Sequence, residues 1–268
     1  MKNHFLLSYF GNKRNEAEGL YNEVANKLDN ITTIIEPFCG SSAFSYYESL
    51  KHPKKFEYIL NDNNKFLIEL YLIAQDEDKL KKFVQLLNMK IKDSNRDKYN
   101  LIIKEDNING WLIKSRIYNI RPGLYPNDQK RVLKSFYYLF NCPIINFLRN
   151  EKMKFYNIDA ITIIEQNKNN DKCLMFLDPP YLVSCNDFYK DSKVNIYEYL
   201  FNNKIENMNS SLLLCLEKNW IIELLFNGQI KKNMVKNMNL LKKRQLILLF
   251  QIFKKYLVFK NFRVKIWT

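Results

Sequence analysis

Lys172-Cys173-Leu174-Met175-Phe176-Leu177-Asp178-Pro179-Pro180-Tyr181 is the stretch that decides the fold. Cys173–Leu177 is an unbroken apolar run, the pattern of a strand covered on both faces, as in the parallel sheet of an α/β protein. It stops at an acid and two prolines, which have fixed φ and no N–H and so end the ladder. Asp178 therefore stands at the carboxyl end of a buried strand, where open α/β sheets bind ligands. The rigid double proline holds the Pro179 carbonyl beside the Asp178 carboxylate. Two acceptors then converge on one donor group, and the exocyclic amine of a purine is such a group: accepting both of its hydrogens pushes charge onto nitrogen. Tyr181 can stack on the ring. An ordinary proline turn would need neither the Asp nor the Tyr.

Upstream, the β-branched run Ile31–Ile35 leads into Glu36-Pro37-Phe38-Cys39-Gly40-Ser41-Ser42, and Ala43–Leu50 reads as a helix. In such a strand–turn–helix the backbone N–H groups and the positive end of the helix dipole face the carboxyl edge of the sheet, where a nucleotide-like ligand docks. A second strand, Phe56–Leu60, ends at Asn61-Asp62, with a helix from Asn64 to about Ala74. An acid ~20 residues beyond the turn, at the next strand end, is placed to accept ribose hydroxyls. Asp62 is equally suited to be a helix N-cap. Residues 75–150 alternate charge with aliphatic residues and read as an inserted, mainly helical lobe, with helices at Asp78–Met89 and Gln129–Leu139. The strand–helix alternation then resumes with Lys154–Ile158 as a strand ending at Asp159, Ala160–Gln166 as a helix, the strand before Asp178, a strand at Leu212–Leu216 and a helix at Trp220–Leu225. The expected architecture is a Rossmann-like α/β core from residues 1–74 and 151–268, interrupted by the lobe at 75–150.

Composition narrows the function classes. The net charge of +14 favours a polyanionic partner, because Lys and Arg that neutralise phosphates release counterions. Its distribution is uneven: residues 229–268 carry eleven Lys/Arg and no acid, leaving +3 for the rest. This atypical basic tail reads either as a phosphate-binding arm or membrane-surface helix, or as the product of a frameshift in an A/T-rich gene, which yields Lys, Asn, Ile, Leu and Phe in any frame. Five scattered cysteines with no close pair suggest neither a disulfide framework nor a thiolate metal site. With two histidines, a zinc site or His-based triad is not expected. No apolar run is long and uncharged enough to span a bilayer, and the N-terminus lacks a signal-peptide pattern, so a soluble, intracellular protein is expected, with no membrane and no metal.

The order of these elements resembles the D12-class, Dam-like DNA adenine-N6 methyltransferases, in which an aromatic-x-Gly-x-Lys element, a Pro-Phe-x-Gly turn, an Asn-Asp strand end, an inserted target-recognition domain and Asp-Pro-Pro-Tyr follow one another. Tyr9-Phe10-Gly11-Asn12-Lys13, Pro37-Phe38-Cys39-Gly40, Asn61-Asp62 and Asp178-Pro179-Pro180-Tyr181 match in that order. The resemblance implies S-adenosylmethionine as methyl donor, bound by Tyr9, Gly11, Lys13, Glu36, Pro37, Phe38, Gly40, Asp62, Asp159 and Asp178. It implies double-stranded DNA as partner, with catalysis by Asp178, Pro179, Pro180 and Tyr181. A target adenine must leave the base stack to reach such a site. Arg149 and Asn150, with Tyr156 and Asn157, are the nearest equivalents of the family's Arg-x-Asn and Phe-Asn stretch; the usual glycines are missing there. The resemblance covers roughly residues 5–230 and ends before the basic tail.

Other features take plainer readings. Direct transfer to an amine requires no thiolate, so Cys185 is not a nucleophile candidate. Trp111 and Trp220 read as packing residues. The lysines and arginine between Lys79 and Lys98 read as phosphate-facing residues or as a solvated helix face. A catalytically impaired DNA-binding homologue, or an amino-methyltransferase acting on RNA or protein, uses the same residues. The recognition sequence, the oligomeric state, and a role in restriction-modification, replication or repair are not encoded legibly.

Overall fold

In a computed structural model the described residues are 4–7, 13–92, 100–120, 136–180, 193–202, 208–217, 232–234 and 245–250. Among the described residues seven strands form one mixed sheet: β1 (Thr33–Glu36), β2 (Glu57–Asn61), β3 (Met153–Tyr156), β4 (Cys173–Leu177), β5 (Ser211–Glu217), β6 (Lys232–Met234) and β7 (Gln245–Phe250), in the order β3-β2-β1-β4-β5-β7-β6. The first five run parallel, and β7 lies antiparallel between β5 and β6. The strand order reverses between β1 and β4, so the carboxyl ends of these two neighbours border the crevice where open sheets bind ligands.

The five parallel strands and the helices Ala43–Lys51, Lys65–Gln75, Glu77–Ile91 and Ala160–Asn167 lie within two residues of the sequence-based bounds, whereas the helices Ile108–Ile120, Ile144–Leu148 and Lys193–Asn202 were not anticipated. Strand alternation explains the two cores. Ile34, Leu174, Phe176, Leu213 and Cys215 point to one face; Ile35, Cys173, Met175, Leu177, Leu212, Leu214 and Leu216 point to the other. Helices α1 (Ala17–Val24), α2 (Ala43–Lys51) and α3 (Lys65–Gln75) bury residues in the first cluster. Ile163 and Ile164 of α7 (Ala160–Asn167) and Ile196, Tyr197 and Leu200 of α8 (Lys193–Asn202) fill the second. Both faces of the sheet are thus covered, which is why its central strands read as continuous apolar runs.

Within residues 75–150 the described elements are α4 (Glu77–Ile91), α5 (Ile108–Ile120), a 3-10 turn at Tyr137–Asn141 and α6 (Ile144–Leu148). Leu80, Val84, Leu87, Leu112, Leu139 and Leu148 belong to the same buried cluster as the first sheet face. These helices therefore extend the core of the sheet layer.

Three sequence-based expectations need correction. The C-terminal part of the predicted helix Gln129–Leu139 is the 3-10 turn. Pro143 biases the residue before it towards extended backbone, and Cys142 is extended (φ −80°, ψ 116°), so the turn does not continue as a regular helix into α6. Asp62 does not cap α3; Asn64 does, accepting from the N–H groups of Phe66 and Leu67. The described part of the basic tail is strand, not a membrane-surface helix, with β7 paired to β5 from Gln245 to Phe250. The predicted helix Trp220–Leu225 lies outside the described residues.

Candidate active site

Four strand ends build the site. β1 ends at Glu36, β2 ends at Asn61 with Asp62 next, β3 is followed by Asn157, and β4 is followed by Asp178. Because these strands are parallel and in register, the polar residues at their ends share the carboxyl edge.

At the β1/β4 crevice the Nζ of Lys13, delivered by the segment preceding α1, lies 2.5 Å from Oδ2 of Asp178. The side chains are 3% and 14% exposed, so the pair is nearly removed from water. Burial opposes the Lys13 charge, but the Asp178 carboxylate, with smaller contributions from Cys215 and Glu16, outweighs it and raises the pKa above the ordinary lysine value. Lys13 is therefore a cation here. Glu36 lies beneath, 1% exposed, its Oε1 accepting the Ser45 N–H of α2 at 2.8 Å. Burial pushes its carboxyl up to about 8; the Ser45 hydrogen bonding opposes this, the charge of Asp178 adds to it, and Lys13 opposes it. The double proline is anchored from outside the motif, since the Tyr197 hydroxyl of α8 donates to the Pro180 carbonyl at 3.2 Å.

The second part of the site is the turn after β1. Gly40 (φ 45°) and Ser42 (φ 52°) both adopt left-handed backbone, a conformation in which the glycine is unstrained. The Gly40 N–H donates to Asp62 Oδ2 at 3.0 Å, and the Asn64 N–H to Oδ1 at 2.9 Å. Burial pushes the Asp62 carboxyl up to about 6 against these two bonds. The Tyr71 hydroxyl closes the turn from the other side through the Gly40 carbonyl at 2.5 Å. Each carboxylate oxygen of Asp62 accepts one backbone N–H and keeps a second lone pair, so this pair of acceptors fits a nucleoside hydroxyl as donor. The Asn157 amide donates to the Asp62 carbonyl at 2.7 Å.

Lys13, Glu36, Pro37, Gly40, Asp62 and Asp178, with Pro179 and Pro180, are thus gathered on one edge. Phe38 is half-buried against the second core cluster. Asp159 stands exposed after β3 and caps α7 by accepting the Ile161 N–H at 2.8 Å. Arg149 and Asn150 precede β3, at the amino ends of the strands and so away from Asp178. Arg149 donates to the Ala74 carbonyl at 3.2 Å and pairs with Glu77 at 3.6 Å, and Asn150 accepts the Lys152 N–H. Tyr9, Gly11, Tyr181 and Cys185 lie outside the described residues. Tyr71 and Tyr197 are site-building residues that no motif singled out, and Asn61 entered only as the neighbour of Asp62 in the Asn-Asp strand end. Cys39, Cys142, Cys173 and Cys215 carry free thiols. Among the described residues no group of His, Cys, Asp and Glu is arranged to hold a metal ion, and no helix is long and apolar enough to cross a membrane.

A parallel five-stranded sheet with polar strand ends meeting at its switch point is consistent with a Rossmann-like methyltransferase. The family model for D12 class N6 adenine-specific DNA methyltransferases matches residues 9–142, and the chain belongs to this family of enzymes. The matched region contains Lys13, the turn after β1 and Asp62, and ends before Asp178. No curated protein matches the chain.

Proposed function

We propose that the protein transfers a methyl group from S-adenosylmethionine to the N6 amine of an adenine flipped out of duplex DNA, with Asp178 as the residue that holds the amine. The observation that carries this reading is the gathering of the Lys13–Asp178 pair and the Asp62-held turn on one sheet edge, in a chain of this family.

S-adenosylmethionine, when bound, supplies its methyl group as a sulfonium electrophile. Asp62 would hold the ribose hydroxyls, and the turn from Pro37 to Ser42 would border the nucleoside. The adjacent Lys13 cation favours the ionised form of Asp178, which is a pure hydrogen-bond acceptor. With the Pro179 carbonyl it would accept both amine hydrogens and raise the electron density on nitrogen, and Tyr181 would stack on the base. Pro179, Pro180 and the Tyr197 anchor keep this geometry rigid, so the rate gain comes from positioning and charge stabilisation. Residues 75–150 would form the target-recognition segment, interrupting a core of residues 1–74 and 151–268.

The test is methyl transfer from labelled donor to unmethylated duplex DNA, single-stranded RNA and protein acceptors. Label in adenine of duplex DNA, abolished by Asp178→Ala, supports the reading. Turnover on RNA or protein alone overturns the substrate, and donor binding without any product overturns the activity.

A further inference from the structure

Asn61 is fully buried at the carboxyl end of β2. Its Nδ2 donates to the Pro37 carbonyl at 3.0 Å and to the Ile158 carbonyl at 3.0 Å, while its Oδ1 accepts the Ile158 N–H at 3.1 Å. Its own backbone carbonyl accepts the Cys39 N–H at 2.8 Å. One side-chain amide therefore spends both donors and one acceptor on two loops that diverge from neighbouring strands: the turn after β1, with its left-handed Gly40, and the segment after β3 that carries Asp159. Asp62, the next residue in the chain, lies between these loops and holds the first of them through Gly40.

From this juxtaposition we infer that Asn61 is a positioning residue that fixes the separation of the two loops framing the methyl-donor site, and so sets donor affinity. The inference rests on the functional reading above. Only an amide suits the place. A carboxylate of the same shape has no N–H for the two carbonyls and would put acceptor against acceptor, whereas an aliphatic side chain would leave the Pro37 carbonyl and both Ile158 groups unpaired in the interior. Either change spreads the loops without touching Asp178 or Lys13.

The experiment compares wild type, Asn61→Asp and Asn61→Ala for S-adenosylmethionine binding by calorimetry and for steady-state methyl transfer to duplex DNA. Asp76→Ala, which uncaps the remote α4, serves as a control for general destabilisation. The expected result is a roughly 10- to 100-fold rise in donor Kd and KM for the Asn61 variants, with kcat at saturating donor within about threefold of wild type. The control should leave the donor KM unchanged. An Asn61→Asp protein that folds and binds the donor as wild type does overturns the inference, as does a kcat that falls without a change in KM. Failure of both Asn61 variants to fold also overturns it, in favour of a purely structural role. If wild type itself fails to bind S-adenosylmethionine, the functional reading fails instead, and the two failures are distinct.

Discussion

The ammonium of Lys13 lies 2.5 Å from the carboxylate of Asp178, 165 residues further along the chain. The pair joins the N-terminal segment to the end of β4 and sets a cation against the residue on which the proposed chemistry turns. A buried pair of this kind contributes little net stability when intact, yet removing one partner strands the other.

Lys13→Met should therefore lower stability by about 2–4 kcal/mol and abolish most activity, because Asp178 would be left buried without its cation. Lys13→Met combined with Asp178→Asn should recover part of that stability while remaining inactive. Urea unfolding of both single variants and the double variant gives the coupling directly. A double variant no more stable than Lys13→Met contradicts the pairing.

Asp62 accepts two backbone N–H groups, from Gly40 and Asn64, in addition to its proposed role towards the donor. Asp62→Asn keeps one acceptor oxygen and loses the other. It should weaken S-adenosylmethionine binding roughly tenfold or more and destabilise the fold by about 1–2 kcal/mol. Isothermal titration together with a urea melt reads both effects. Unchanged donor affinity would rule out contact between Asp62 and the nucleoside.

Among the described residues three buried carboxyls have raised pKa values: Glu36 at about 8, Glu48 at about 7 and Asp62 at about 6. Burial is the leading cause in each case. Since each folded-state value exceeds its unfolded one, the native protein binds more protons than the unfolded chain between about pH 4.5 and 8, and stability falls as pH rises through that window. The ligand-free protein should unfold at a lower urea concentration at about pH 8 than at about pH 5. Glu36→Gln, which keeps an acceptor for the Ser45 N–H, should flatten this dependence. A stability that rises steadily from pH 5 to 8 contradicts the assignment.

Phe44 of α2 packs on Phe176 of β4 with ring centroids 4.8 Å apart, two residues before Asp178. Phe44→Ala should destabilise by about 3–5 kcal/mol. Differential scanning calorimetry would reveal the loss, and a change below about 1 kcal/mol would show that this contact does not support the end of β4.

The sheet was legible because its central strands are buried on both faces: the β-branched run at Ile31–Ile35 and the apolar run at Cys173–Leu177 both read as strands. Lys13, Asp62 and Asp178 were legible through short motifs whose chemistry is local. Asn61 was quoted only as the first half of the Asn-Asp strand end; its role was not legible, since its amide serves carbonyls 24 and 97 residues away, and only the strand order brings those together. The Tyr197 anchor of the double proline was hidden for the same reason. The strand inside the basic tail was not read because charge dominates the composition of the tail, although Gln245–Phe250, which pairs with β5, is a run of five apolar residues after one glutamine.

The most direct test of the central claim is a genome-wide map of N6-methylated adenines in DNA from cells expressing the wild-type protein or Asp178→Ala. Methylated adenines in a shared short sequence with wild type, and none above background with Asp178→Ala, are the predicted result. Identical maps from the two proteins would contradict catalysis through Asp178.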